Sequence, residues 1–241
     1  MLIQPNWPAP HNIRAYSTTR IGGVSMPPYD SFNLGNHVGD DALHVYENRN
    51  KLVEVASLPS MPYWLEQVHG AQVVELDNDT PVSLKGDAVY TRCKERVCAV
   101  MTADCLPVLF CTEAGDEVAA AHAGWRGLQA GVLEQSVLRF RSSPSNIMAW
   151  LGPAIGPRQF EVGAEVKAAF TQDDPQSAMA FVSQGEKFLA DIYQLARLRL
   201  QAAGVTKIFG GEACTVSEPQ KFFSYRRDGV TGRMATLVWV I

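Results

Sequence analysis

Two histidines and a cysteine stand in settings that suit catalysis: His69 in Q-V-H-G at 67–70, Cys105 in T-A-D-C-L-P-V at 102–108, and His122 in A-H-A-G-W-R-G at 121–127. Two imidazoles and a thiolate are a borderline-soft donor set that suits zinc, and three protein ligands leave one coordination position for water or substrate. Bound zinc supplies Lewis acidity and lowers the pKa of water from 15.7 to about 7. Taken singly, a buried cysteine usually behaves as a small hydrophobe and a lone histidine as a satisfied core or surface residue. The chain has only five histidines, however, and these two precede small residues at the ends of apolar runs, where side chains can face a cleft. The spacing is too wide for a local zinc knuckle, so the fold must bring the three together.

Of the five cysteines, Cys93, Cys98, Cys105 and Cys111 crowd one apolar stretch without C-x-x-C pairing. A reducing compartment fits this pattern, and Cys93, Cys98, Cys111 and Cys214 read as core thiols. Cys105 differs, because Asp104 precedes it and Pro107 marks an edge, bulge or break. Asp104 can share a pocket with Cys105 only if the strand bends there, since neighbours on a regular strand face opposite sides. The competing reading makes Asp104 a turn residue that binds backbone.

The elements that must position these groups belong to a chain of 241 residues, 46% hydrophobic and 19% charged, enough for a sizeable core and read as a single domain over 1–241. A net charge of −4 provides no basic field for nucleic acid. The start, M-L-I-Q-P-N-W-P, is neither basic nor continuously apolar, and no run approaches the ~20 apolar residues of a membrane span. The expectation is a soluble cytoplasmic protein with no membrane partner.

Strands are expected at 12–19, 63–68, 71–76, 88–91, through the apolar stretches 97–112 and 117–121, and at 147–151, 208–210 and 234–241. Helices are expected at 44–56, 128–140, 162–171 and 187–203, the last with Leu189, Ile192, Leu195, Ala196 and Leu200 on one side. Strands that come both singly between helices and in adjacent pairs point to an α/β fold of the α+β type, a layered sandwich with a mixed β-sheet.

S-T-T-R-I-G-G-V-S, N-L-G at 33–35, L-E-Q-V-H-G, G-D-A, M-T-A-D-C-L-P-V, A-A-H-A-G-W-R-G, L-G-P-A-I-G-P and F-F-S-Y-R-R-D together resemble the YfiH-type "laccase domain" family, in order and across essentially the whole chain. The resemblance implies a polyphenol oxidase-like member of this purine nucleoside phosphorylase family: a sandwich distantly like cysteine hydrolase toxins, with zinc held by His69, Cys105 and His122. Copper could occupy the same donors, where it would be adventitious. A true multicopper laccase needs about ten histidines, commonly in H-x-H pairs. Five histidines with no such pair cannot furnish them.

Relatives of this kind imply a purine nucleoside enzyme: phosphorolysis of adenosine, inosine, guanosine or methylthioadenosine, or adenosine deamination, with nucleoside and phosphate as small-molecule partners. Deamination needs an acid near the metal, and Asp104 is the expected one, making His69, Cys105, His122 and Asp104 the catalytic set. Phosphorolysis needs phosphate beside the sugar, and arginine forks suit it. Arg20, Arg126 and Arg226 are candidates because each lies in a Gly-rich or turn-rich motif; Asn33, Gln67 and Asp87 are expected to contact base or ribose. The alternative is an amide hydrolase editing wrongly incorporated amino acids in peptidoglycan precursors, through zinc or a Cys105 nucleophile. A zinc-stabilised binding module would need a fourth permanent ligand, and no motif supplies one.

Overall fold

Apolar runs without polar alternation make strands covered on both faces. In the computed structural model, which describes residues 1–77 and 81–241, β1 (Leu2–Ile3) and β2 (Ile13–Thr18) precede α1 (Ala42–Val55). Then come β3 (Val73–Leu76), β4 (Ala88–Thr91), β5 (Cys98–Thr102), β6 (Leu106–Thr112), β7 (Val118–Ala123), α2 (Trp125–Gln129) and α3 (Val132–Val137). The second half comprises β8 (Ile147–Leu151), β9 (Glu161–Val162), α4 (Ala164–Thr171), β10 (Phe181–Gln184), β11 (Lys187–Ala190), α5 (Ile192–Ala202), β12 (Lys207–Gly210), α6 (Tyr225–Asp228) and β13 (Met234–Val240).

A mixed six-stranded sheet has the order β12-β8-β6-β7-β4-β3, parallel at its two outer pairs and antiparallel between. An antiparallel sheet of order β1-β2-β13-β5 packs against it. The period of two sorts every central strand. Leu106, Val108 and Phe110 face one core with Leu128, Leu133 and Leu195 of the helices, while Leu109 and Cys111 face the other sheet. On β13, Val238 and Val240 join this inter-sheet core, whereas Leu237 and Trp239 pack with Leu52 of α1 on the outer face. The expected layered α/β sandwich is therefore present.

Several boundaries differ from the sequence reading. The apolar stretch 97–112 is two strands in different sheets, because the chain crosses between sheets at Ala103–Cys105, with Asp104 at φ +94°. Residues 63–68 form no strand beyond a Glu66–Lys85 bridge. The Gln67 amide instead takes the place of a strand neighbour, donating to Met101 O and accepting from Met101 N, both at 2.8 Å. The 128–140 helix begins earlier and is split at Gly131, φ +91°. The expected helix at 187–203 starts as β11, paired with β9 and β10; Asp191 then caps α5 by accepting from Gln194 N. No helix among the described residues is long and apolar enough to cross a membrane.

Candidate metal centre and its cavity

Asp87 lies at the start of β4, opposite His122 on β7, and its side chain is wholly buried. A buried carboxylate is stable only when its lone pairs are met. Here Oδ2 accepts from Val68 N at 3.1 Å and Gly70 N at 2.7 Å, while Oδ1 accepts from His69 N at 2.9 Å and His122 Nδ1 at 2.8 Å. Burial alone would raise the carboxyl, but the hydrogen bonds from His122, Gly70 and His69 hold it below the usual range. One side chain thus shapes the loop carrying His69, whose φ is +60°, and orients the ring of His122. With Nδ1–H donated to a carboxylate, His122 is left with Nε2 as its coordinating atom.

The sheet-to-sheet crossing supplies Cys105. Asp104 bonds within the protein: Oδ1 accepts from Thr215 Oγ1 and Oδ2 from Arg226 N, both at 2.6 Å, and its carbonyl accepts from Ile155 N. These bonds hold the bend that carries Cys105, and Asp104 does not line the cavity.

The donor atoms of His69, Cys105 and His122 all lie within 4.8 Å of one another, with Cys105 Sγ 4.0 Å from His69 Nε2 and the imidazoles edge to face. Tetrahedral zinc would set such donors about 3.3–3.6 Å apart, so the three would have to draw together by up to about 1.5 Å to hold the ion. Burial alone would raise the thiol, but the charge of His122 and hydrogen bonds from both imidazoles bring Cys105 down to about 6. Burial would lower His122, but Cys105 and Asp87 raise it to about 9. A thiolate is the form a metal needs. The A-H-A-G-W-R-G glycines make room: a Cβ at Gly124 would lie 2.9 Å from Cys105 Sγ, and one at Gly127 2.8 Å from Gly70 O.

The centre opens into a cavity of about 730 Å³, within the roughly 300–1,000 Å³ usual for small-molecule sites. Gln67 lines it, although its amide is engaged by Met101. Trp64 lines it too, with the Arg49 guanidinium 4.3 Å from its ring centroid. The arginines singled out from sequence lie elsewhere. Arg20 pairs with Asp30 and bonds to Pro219 O beside a separate pocket; Arg126 covers Trp125; the Arg226 guanidinium donates to the carbonyls of Gln159 and Glu161. Asn33 is buried and binds Gly35, Asp40 and Arg233 N. The cavity instead holds Asn36, His37, Tyr225 and Arg233, which the sequence reading did not select. No linear motif marks Arg233, since its link to N-L-G spans 200 residues.

Residues 14–241 match the family model described as "Multi-copper polyphenol oxidoreductase laccase". The chain is 60% identical over 240 residues to "Purine nucleoside phosphorylase YfiH" of Escherichia coli (strain K12), covering 100% of this chain and 99% of that protein. It is 52% identical over 241 residues to "Purine nucleoside phosphorylase" of Haemophilus influenzae, covering 98% of each. The crystal structure of a Neisseria meningitidis protein superposes with a TM-score of 0.94 at 48% identity, covering 99% of this chain and 98% of that one. YlmD from Geobacillus stearothermophilus gives 0.93 at 33% identity, over 99% and 96%. By sequence and by fold, the chain belongs to the YfiH-type laccase-domain family.

Proposed function

We propose that this chain is a zinc-dependent purine nucleoside phosphorylase. The observation carrying this reading is the His69–Cys105–His122 donor set at the wall of a cavity of nucleoside size, supported by the names of its relatives. Zinc held by those donors would supply a Lewis acid with one free position. The residues around it do the rest. Asp87 fixes both histidines, and Trp64, braced by Arg49, offers an aromatic surface on which a purine can stack. In phosphorolysis the C1′–N9 bond breaks with its electron pair going to the purine. A phosphate oxygen bonds to C1′, and the proton of hydrogen phosphate ends on the base, giving free purine and ribose 1-phosphate. The test is incubation of adenosine, inosine, guanosine and methylthioadenosine with and without phosphate, with chromatography of the products and elemental analysis of the protein. Phosphate-dependent release of free base by protein carrying near-stoichiometric zinc is expected. Inosine formed from adenosine without phosphate would assign deamination instead, and full activity in metal-free protein would refute the metal.

One observation favours a second reading. Cys105, His122 and Asp87 stand in the order of a thiol nucleophile, its base and an orienting carboxylate, as amide hydrolysis of a cell-wall precursor would use. A covalent adduct on Cys105 during turnover, with chelators harmless, would carry that alternative.

A further inference from the structure

Arg233 lines the cavity, and both its backbone and its side chain are held in place there. Asn33, fully buried, accepts from Gly35 N at 2.9 Å and from Arg233 N at 2.8 Å through the same oxygen. Gly35 gives up its side chain to the arginine: a Cβ there would lie 2.8 Å from Arg233 Cγ. The N-L-G motif at 33–35 is thus a seat for Arg233. At the far end of the side chain, Nη1 donates to Thr231 O at 3.0 Å and Gly232 O at 3.1 Å, which fixes the guanidinium plane.

Among the described residues Arg233 makes no ion pair, whereas Arg20, Arg199 and Arg227 each do. Burial works against its charge, which the more distant Cys105 and Asp104 offset only through space. A partly desolvated guanidinium without a counter-ion calls for an anionic ligand. His37 lines the same cavity; burial and the charges of Arg233 and Arg49 keep it below the usual imidazole range, hence neutral and able to donate one hydrogen bond. Asn36 adds an amide. A fixed fork with two neutral polar groups suits a small tetrahedral oxyanion.

We infer that Arg233, assisted by His37 and Asn36, is the orthophosphate subsite of this cavity and binds the phosphate that attacks the nucleoside. The inference rests on the phosphorolysis reading for its reaction, but its binding can be measured alone. Arg20, Arg126 and Arg226 are poorer receivers because their guanidinium groups lie outside the cavity.

Calorimetry of metal-loaded protein with inorganic phosphate, alongside steady-state kinetics, tests the subsite with Arg233→Gln, Arg233→Lys and Gly35→Ala. The expected result is a phosphate Kd and KM raised about 10- to 150-fold in Arg233→Gln, the loss of a charged hydrogen-bonding group. Zinc content and nucleoside KM stay near wild type, Arg233→Lys recovers part of the loss, and Gly35→Ala reproduces it by displacing the arginine stem with the charge intact. Phosphate binding unchanged in a folded Arg233→Gln protein overturns the subsite and leaves phosphorolysis standing. So does an Arg126→Gln or Arg226→Gln protein that loses phosphate instead. Phosphate binding lost in Arg233→Gln while no nucleoside is cleaved by wild type upholds the subsite and sinks the phosphorolysis reading. Adenosine 5′-monophosphate separates the two sources of phosphate: Arg233-dependent binding of the ester with Arg233-independent binding of orthophosphate assigns the arginine to a nucleotide and overturns the proposal.

Discussion

Two buried carboxylates end the same pair of strands and do different things. Asp87 and Glu117 lie just before β4 and β7, whose antiparallel register, Ala88 to Ala121 and Thr91 to Val118, puts them at opposite ends of the ladder. Both are almost wholly buried, at 0% and 2% exposure. Both accept backbone N–H groups from a neighbouring loop, residues 68–70 for Asp87 and Arg141 and Ser142 for Glu117. Each also takes one ring donor: His122 Nδ1 at 2.8 Å for Asp87, Tyr90 OH at 2.5 Å for Glu117. For Glu117, as for Asp87, burial alone would raise the carboxyl, but the hydrogen bonds from Tyr90, Arg141 and Ser142 hold it low. What separates them is the group behind the donor. The imidazole has a second nitrogen facing a cavity, whereas the phenol ends in the core beside Phe140. The same anchor orients a candidate metal ligand at one end and a core side chain at the other.

The sharpest way to break the comparison is at the candidate metal centre. Cys105→Ala is expected to leave two ligands, abolish zinc stoichiometry and remove activity, as read by elemental analysis and the base-release assay. Next in size is the matched pair Asp87→Asn and Glu117→Gln. Asp87→Asn should cost about 10–100-fold in activity or metal affinity, while Glu117→Gln leaves activity near wild type and instead lowers urea stability by about 1–3 kcal/mol. Equal activity in both variants would erase the distinction. Tyr90→Phe should cost about 1.5–3 kcal/mol in urea stability, the range for a hydrogen bond to a charged group, and move the Glu117 carboxyl upward. The pH dependence sharpens this further. Because the folded Glu117 carboxyl lies below its unfolded value of about 4.3, its contribution is complete above that value and is lost as pH falls through the folded value. The stability gap between wild type and Glu117→Gln, measured by urea titration, should therefore be full at neutral pH and narrow under acid. Smallest is Gly124→Ala, whose Cβ would meet Cys105 Sγ at 2.9 Å and His69 Cδ2 at 3.1 Å; activity should fall more than thermal stability.

Legibility in the sequence followed locality. The three donors stood out because rare residue types sat at the ends of apolar runs, and the sandwich was readable because β6, β7 and β8 are apolar on both faces. The stretch 97–112 hid two strands because both are continuously buried, so periodicity offers no contrast at Ala103–Cys105. The loop at 63–68 looked like a strand because its pairing is made by the Gln67 side chain. Arg233 could not be chosen from the linear sequence, because its partner Asn33 is 200 residues away and only the closed sheet brings β13 beside that loop.

Cys105 stands where the polypeptide passes from one sheet to the other. The His69 segment is tied to β5 of the four-stranded sheet through Gln67 and to the start of β4 in the six-stranded sheet through Asp87, while His122 belongs to the six-stranded sheet alone. An ion gripped by all three would rivet the seam of the sandwich. Heat or denaturant that lets the sheets slide should then release zinc before either sheet melts, making metal loss an early gauge of loosening.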